Sequence, residues 1–140
     1  MDTLVPPVAR VRSPRASLWA LRIVTLVFVL AVLAQPVLAG LFLTGDIDAI
    51  TAHGLVGELL ALGALVLIGV ALAYVLGGRG RIWILPVSVL LFLAVGFQIA
   101  AGFARQLELH VPLGVVIVTT SVLLAGWAWS PLAARPRGTK

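Results

Sequence analysis

The sequence lacks cysteine and has few side chains of the kinds that carry chemistry. Of its 140 residues none is cysteine, two are histidine and five are acidic. Disulfide frameworks and thiolate metal sites are therefore excluded. Charged residues make up 11% of the chain and hydrophobic residues 61%, and the mean hydropathy is +1.17. This composition lies far outside that of a soluble domain and indicates a membrane protein.

Long apolar runs account for most of the chain. A helix needs about 20 apolar residues to cross a bilayer core about 30 Å thick. Four segments are long enough and predict helices at about 18–43, 53–76, 81–104 and 110–132. These segments do not alternate apolar and polar residues, as the strands of membrane β-barrels do. We predict an all-α fold, a polytopic membrane four-helix bundle that forms one domain over 1–140, with cytoplasmic tails 1–17 and 133–140. Pro36 is expected to kink the first helix.

The first predicted helix has a second interpretation. Basic residues, the run IVTLVFVLAVLA and the small residues of QPVLAG are also the pattern of a signal peptide. The apolar run nevertheless continues past Gly40 into LFLTG, and its removal would leave only three helices. We therefore predict that this helix is retained.

The distribution of charge predicts the topology. The net charge is +5, and nine of the ten cations flank the same ends of the predicted helices. The positive-inside rule then places both termini in the cytoplasm, in a multi-pass protein of a bacterial cytoplasmic membrane. Because this topology explains the basic residues, no nucleic-acid partner is expected. The expected partners are the lipid bilayer and either a redox partner or a larger membrane complex. The nine cations are Arg10, Arg12, Arg15, Arg22, Arg79, Arg81, Arg135, Arg137 and Lys140.

The second and fourth predicted helices share a repeat. Superposing His53 on His110 gives the pattern His-x3-Gly-x6-small-x6-small in both, and at 100° per residue each helix carries these residues on one stripe. Ordinary helix packing in lipid is an alternative reason for the small residues. The matched pairs, after the histidines, are Gly57 with Gly114, Ala64 with Ser121 and Ala71 with Ala128.

The first and third predicted helices also correspond, because each carries one glutamine, Gln35 and Gln98, followed by Gly40 and Gly102 respectively. Glutamine is costly in hydrocarbon and usually faces a bundle interior. The chain is thus two helical hairpins, related by a predicted pseudo-two-fold axis along the membrane normal. If the helices pack in sequence order around a square, the two histidine helices are diagonal and their histidines face each other.

Two opposed imidazoles suit haem iron, which takes axial nitrogen ligands. Zinc prefers four ligands, and no second His/Cys pair exists. No catalytic triad is apparent, because Ser88 and Ser121 are predicted far from the histidines, so autonomous catalysis is not expected. The alternative is that both histidines are interfacial residues at helix starts. Arg105 is a candidate partner for a haem propionate, or for an ion pair with Glu108 or Glu58.

The arrangement resembles one four-helix half of haem A synthase, and also small bacterial four-helix membrane proteins with a repeated His-x3-Gly. The resemblance implies one b-type haem with His53 and His110 as axial ligands and the first and third helices as pocket walls. The synthase has a glutamate three positions before its first histidine, where this chain has Ile50. We therefore predict electron transfer or haem handling, with a cofactor-free membrane subunit or assembly protein as the alternative. The residues that carry the resemblance are His53, Gly57, His110, Gly114, Gln35 and Gln98.

Overall fold

The computed structural model describes residues 16–135 and Arg137. Four of its five helices are long and apolar enough to cross a membrane. The predicted all-α fold is confirmed for these residues, which contain no strand. Of the predicted tails, 1–15, Pro136 and 138–140 lie outside the described residues. The helices are α1 (Ala16–Leu43), α2 (Ile47–Leu76), α3 (Ile84–Phe103), α4 (Leu107–Trp129) and the short α5 (Pro131–Ala134).

Three helices, α1, α2 and α4, begin before the residues at which the sequence predicts them to begin, α1 by only two residues. Helix α2 begins at Ile47, because the carboxylate of Asp46 caps its first turn. This carboxylate accepts hydrogen bonds from the backbone amides of Asp48 and Ala49. Helix α4 likewise begins at Leu107. His53 and His110 therefore lie inside their helices, six and three residues from the first helical residue, and not at the helix starts.

The four long helices pack in chain order around a square. Helix α1 packs against α2 and α4, and α3 packs against the same two helices. Helices α2 and α4 therefore face each other across the diagonal, as the sequence predicts for packing in order. The outward faces are rich in exposed aliphatic residues such as Leu30, Leu90 and Leu123, each at least 60% exposed. Faces of this kind suit contact with lipid chains.

Corresponding positions of the two hairpins are buried in register. In α1 and α3 the buried residues match at an offset of 63, as in Thr25 and Ser88. In α2 and α4 they match at an offset of 57, as in Ala64 and Ser121. The repeat seen in the sequence therefore extends through the core. The remaining buried pairs are Leu21 with Ile84, Phe28 with Leu91, Val32 with Val95, Leu60 with Ile117, Leu67 with Leu124 and Ala71 with Ala128.

The α1–α2 and α3–α4 turns use the same hydrogen-bond pattern at different distances from the core. Gly45 and Arg105 have φ of +104° and +56°, and each turn is closed by a bond from the next amide to a carbonyl five residues earlier. In the first hairpin, Gly45 lies ten residues after Gln35 and eight residues before His53. In the second, Arg105 lies seven residues after Gln98 and five residues before His110. The first hairpin is therefore longer by three residues in each arm.

The opposite end of the bundle is closed by α5, and we call it the α5 end. The hydroxyl of Tyr74 is buried and donates to the carbonyl of Ala133 at 2.8 Å. Gly80 lies against the ring of Tyr74, where a β-carbon would collide with the ring atoms. The α2–α3 turn and α5 are thus tied together. We call the end with the α1–α2 and α3–α4 turns the histidine end.

Candidate functional site

The rings of His53 and His110 lie together between the diagonal helices α2 and α4. Their centroids are 6.1 Å apart and their planes are inclined by 47°. Both residues are partly buried. The structure therefore brings the two histidines of the repeat together, as the sequence predicts.

Each histidine ring is held by the preceding helix of its own hairpin. Nδ1 of His53 lies 3.2 Å from the backbone carbonyl oxygen of Gln35. Nδ1 of His110 lies 2.9 Å from that of Gln98. A carbonyl oxygen can only accept a hydrogen bond, so Nδ1 carries the proton in both rings. In the neutral ring the lone pair is then on Nε2, the state in which an imidazole binds a metal.

The side chains of the two glutamines differ. Nε2 of Gln35 donates to the backbone carbonyl of His53 at 3.2 Å, so this pair is bonded in both directions. Oε1 of Gln98 is buried and has no hydrogen-bond partner. A buried acceptor without a donor is costly and is the kind of group that a bound water or ligand satisfies. The sequence predicts inward-facing glutamines but not that their backbone carbonyls hold the histidines.

Glycines give the second hairpin its close contacts. A β-carbon on Gly114 would lie 3.0 Å from Nε2 of Gln98, and one on Gly102 would lie 3.0 Å from Cε1 of His110. Gly57 is roomier, with its nearest neighbour at 4.0 Å, and Gly40 has nothing within 4 Å. Gly102 thus belongs to the site and Gly40 does not. The spacing reveals this difference, because Gly102 follows its glutamine by four residues, one helical turn, and Gly40 follows by five.

Arg105 is near the site in sequence but not part of the ring pair. It is exposed and occupies the positive-φ position of the α3–α4 turn. Glu58 and Ile50 are also exposed. Ser88 and Ser121 are buried, and their hydroxyls donate to carbonyls of their own helices. These serines take no part in a triad with the histidines.

The separation of the two ring centroids is close to the one expected for two imidazoles on opposite sides of one metal ion. Metal–imidazole bonds are about 2.0–2.1 Å long, and a ring nitrogen lies about 1.1 Å from its own ring centroid, so two rings on opposite sides of one ion have centroids about 6.3 Å apart. The observed value is 6.1 Å. Residues 16–135 and Arg137 contain no group of three or more His, Cys, Asp or Glu that could hold a metal. Two axial nitrogens suit iron already held by a macrocycle, and they do not suit a bare zinc ion.

An apolar groove of about 420 Å³ lies elsewhere, between α1 and α2. None of the histidines or glutamines lines it, so it does not belong to the histidine site. Its lining residues are Ile23, Val24, Val27, Phe28, Ala31, Leu59, Leu60, Leu62, Gly63 and Val66.

Comparison of the chain with protein-family models, curated proteins and solved structures found no match.

Proposed function

We propose that the protein is an integral membrane b-type haem protein in which His53 and His110 are the two axial ligands of one iron, and that it transfers electrons or handles haem. The observation that carries the proposal is the ring pair, with centroids 6.1 Å apart and both Nδ1 atoms committed to backbone carbonyls. This arrangement leaves a lone pair on Nε2 of each neutral ring.

The chain would supply the orientation of the two ligands. The carbonyls of Gln35 and Gln98 fix the tautomer and the ring planes, which is the usual role of groups behind metal-bound histidines. The haem would supply the one-electron chemistry of its iron. Gly57, one turn beyond His53, would leave room for the macrocycle, whereas the side chain of Gln98 already occupies the space at Gly114. Helices α1 and α3 would wall the pocket. Arg105 would pair with a propionate.

The topology is part of the proposal. Both termini would lie in the cytoplasm of a bacterial cell, with the histidine end outside, in the direction that the arginines favour. The two hairpins would be related by a pseudo-two-fold axis along the membrane normal, for which the register of buried pairs is the support. Tags at both termini should be accessible only from the cytoplasmic side, and an intact mass should include α1, which supplies Gln35.

A spectrum tests the haem site directly. Purified protein supplied with haemin should bind one haem per chain and show a low-spin Soret band, with a sharp α band on reduction. The matched control is the double variant in which both histidines are alanine, purified and treated identically. Absence of the low-spin spectrum in the wild type, or its equal presence in the control, would refute axial ligation by the two histidines.

The alternative is a cofactor-free membrane subunit or assembly protein that acts through helix contacts. It is favoured by the fact that each histidine already has a partner in the preceding helix, so the rings also act as cross-links within the hairpins. Under this alternative no variant binds haem, and each histidine substitution costs only about 1 kcal/mol of unfolding free energy.

A further inference from the structure

We propose that the α5 end binds the headgroups of anionic phospholipids through Arg79, Arg81, Arg135 and Arg137. This proposal does not depend on the haem site, which lies at the opposite end of the bundle. The four arginines are gathered at one end of the bundle, no acidic side chain among the described residues neutralises them there, and aromatic side chains place them at headgroup level.

The fold gathers the four arginines from two separate parts of the chain. Arg79 and Arg81 belong to the α2–α3 turn, and the other two follow α5. The amide of Arg137 donates to the carbonyl of Arg79 at 2.8 Å. The bond from Tyr74 to Ala133 holds α5 beneath this contact. All four arginines are exposed, so their guanidinium groups face the surroundings of the protein.

The protein supplies no acid to neutralise this cluster within residues 16–135 and Arg137. Asp46 and Asp48 lie at the α1–α2 turn, Glu108 lies in the first turn of α4, and Glu58 lies in the half of α2 nearer the histidines. All four belong to the histidine end. No acidic side chain of the described residues neutralises the charge of the α5 end, and arginine forms strong paired hydrogen bonds with phosphate oxygens.

Tryptophans place the cluster at the level of lipid headgroups. All four tryptophans of the chain lie at the α5 end, and Trp19, Trp83 and Trp129 are 40–46% exposed. Tryptophan is enriched where hydrocarbon meets headgroups, and basic residues just beyond that level attract anionic lipids. A lipid surface, in which hydrocarbon adjoins phosphate groups, accommodates both the exposed apolar rings and the charges beside them. The ligand we commit to is thus the phosphate of a lipid.

Arg22 belongs to a different arrangement at the same end. Its Nε donates to the carbonyl of Ala128 at 3.0 Å, and its guanidinium lies 5.1 Å from the ring of Trp19 and 5.5 Å from that of Trp129. These contacts satisfy the charge within the protein. Arg22 is therefore left out of the proposed lipid site.

Tryptophan fluorescence can test the proposal, because every tryptophan reports on the α5 end. The full chain is reconstituted in phosphatidylcholine bilayers that contain an equal mole fraction of either brominated phosphatidylglycerol or brominated phosphatidylcholine. Bromine quenches nearby tryptophan, so the ratio of the two quenching effects measures the preference for the anionic lipid. We expect preferential quenching by the anionic lipid at low salt and a smaller preference at high salt.

Variants identify the arginines responsible. Arg79→Gln and Arg81→Gln should each lower the preference, by up to about five-fold, since a basic residue near an anionic surface contributes about 1 kcal/mol. Arg79→Lys should retain it, because it keeps the charge. The matched control is Arg105→Gln, because Arg105 is exposed and has φ of +56°, close to the +52° of Arg79, but lies at the other end. This control should leave the preference unchanged.

Three results would overturn the proposal. The first is equal quenching by the two brominated lipids in the wild type. The second is a loss in Arg105→Gln as large as that in Arg79→Gln and Arg81→Gln. The third is release of the lipid by sodium phosphate far beyond that caused by sodium chloride at equal ionic strength, which would make free phosphate the ligand.

Discussion

Gly102 lies against the imidazole of His110, so closely that a β-carbon at this position would be 3.0 Å from Cε1 and 3.1 Å from Nδ1. The missing side chain lets the ring approach the carbonyl of Gln98 to 2.9 Å. In the other hairpin the matching position is Ala39, and the corresponding distance for His53 is 3.2 Å. The glycine therefore accompanies the tighter of the two histidine contacts.

Gly102→Ala should weaken haem binding without unfolding the protein. The new methyl group must displace the ring of His110 by a few tenths of an ångström, and loss of a group that orients a metal ligand typically costs about 10–100-fold in affinity. Haem titration followed by the Soret band measures the change. Gly96→Ala is the control, because Gly96 is on the same helix with nothing within 4 Å of its β-position. Equal effects at both positions would contradict the role given to Gly102.

Single replacement of either histidine by alanine should abolish or convert the low-spin haem spectrum. Both rings are ligands of one iron in our proposal, so either alone is insufficient. The variant that lacks both should lose little more than the worse single variant, because the ligands act as a unit. Optical spectra of the three variants at equal haem and protein concentration provide the measurement. A single variant with an unchanged low-spin spectrum would show that its histidine is not a ligand.

In the cofactor-free protein, replacement of each glutamine by leucine should change the free energy of unfolding in opposite directions. Gln98→Leu removes a buried acceptor that has no partner, a defect worth about 1–3 kcal/mol, and should raise the free energy of unfolding. Gln35→Leu removes the bond to the carbonyl of His53 and should lower it by about 0.5–1.5 kcal/mol. Equilibrium unfolding in mixed micelles measures both.

In the haem-loaded protein, Gln98→Leu should perturb the spectrum less than either histidine variant, because leucine keeps the backbone carbonyl that holds His110 and both ligands remain. In the cofactor-free protein, unfolding free energies that change in the same direction for Gln98→Leu and Gln35→Leu would contradict the difference between the two glutamines.

Gly80→Ala should destabilise the α5 end. A methyl group there collides with the ring of Tyr74, so the ring must move and its bond to Ala133 is lost. Overpacking of this kind costs about 1–3 kcal/mol, and Tyr74→Phe alone should cost about 1 kcal/mol. The double variant should lose less than the two losses together, because both act on one hydrogen bond. Gly69→Ala, at an open position, serves as the control, and additive losses would argue against the shared contact.

The sequence predicts the bundle well because its strongest signals are periodic. The apolar runs set the number of helices, and the small residues one, three and five turns from each histidine mark the face that is buried, as Ala64 and Ser121 show. The convergence of the histidines follows from packing in chain order. Haem binding and the orientation in the membrane stay predictions.

Other features leave no periodic signal. The early start of α2 depends on a single capping side chain, that of Asp46, which the apolar pattern does not include. The bonds to the histidines come from backbone carbonyls of Gln35 and Gln98, and any residue type has a backbone carbonyl. The unequal roles of Gly40 and Gly102 are an exception, because the one-residue difference in their spacing from the glutamines can be read in the sequence.

The three extra residues in each arm of the first hairpin make its tip a natural site for protein engineering. Lengthening two antiparallel helices equally moves their turn outward and leaves every contact below unchanged. A reporter peptide inserted at Gly45 would be eight residues from His53, about 12 Å along the helix. At Arg105 the insertion would be only five residues from His110. The longer hairpin can therefore carry a label that shows on which side of a membrane the histidines lie, without disturbing the rings.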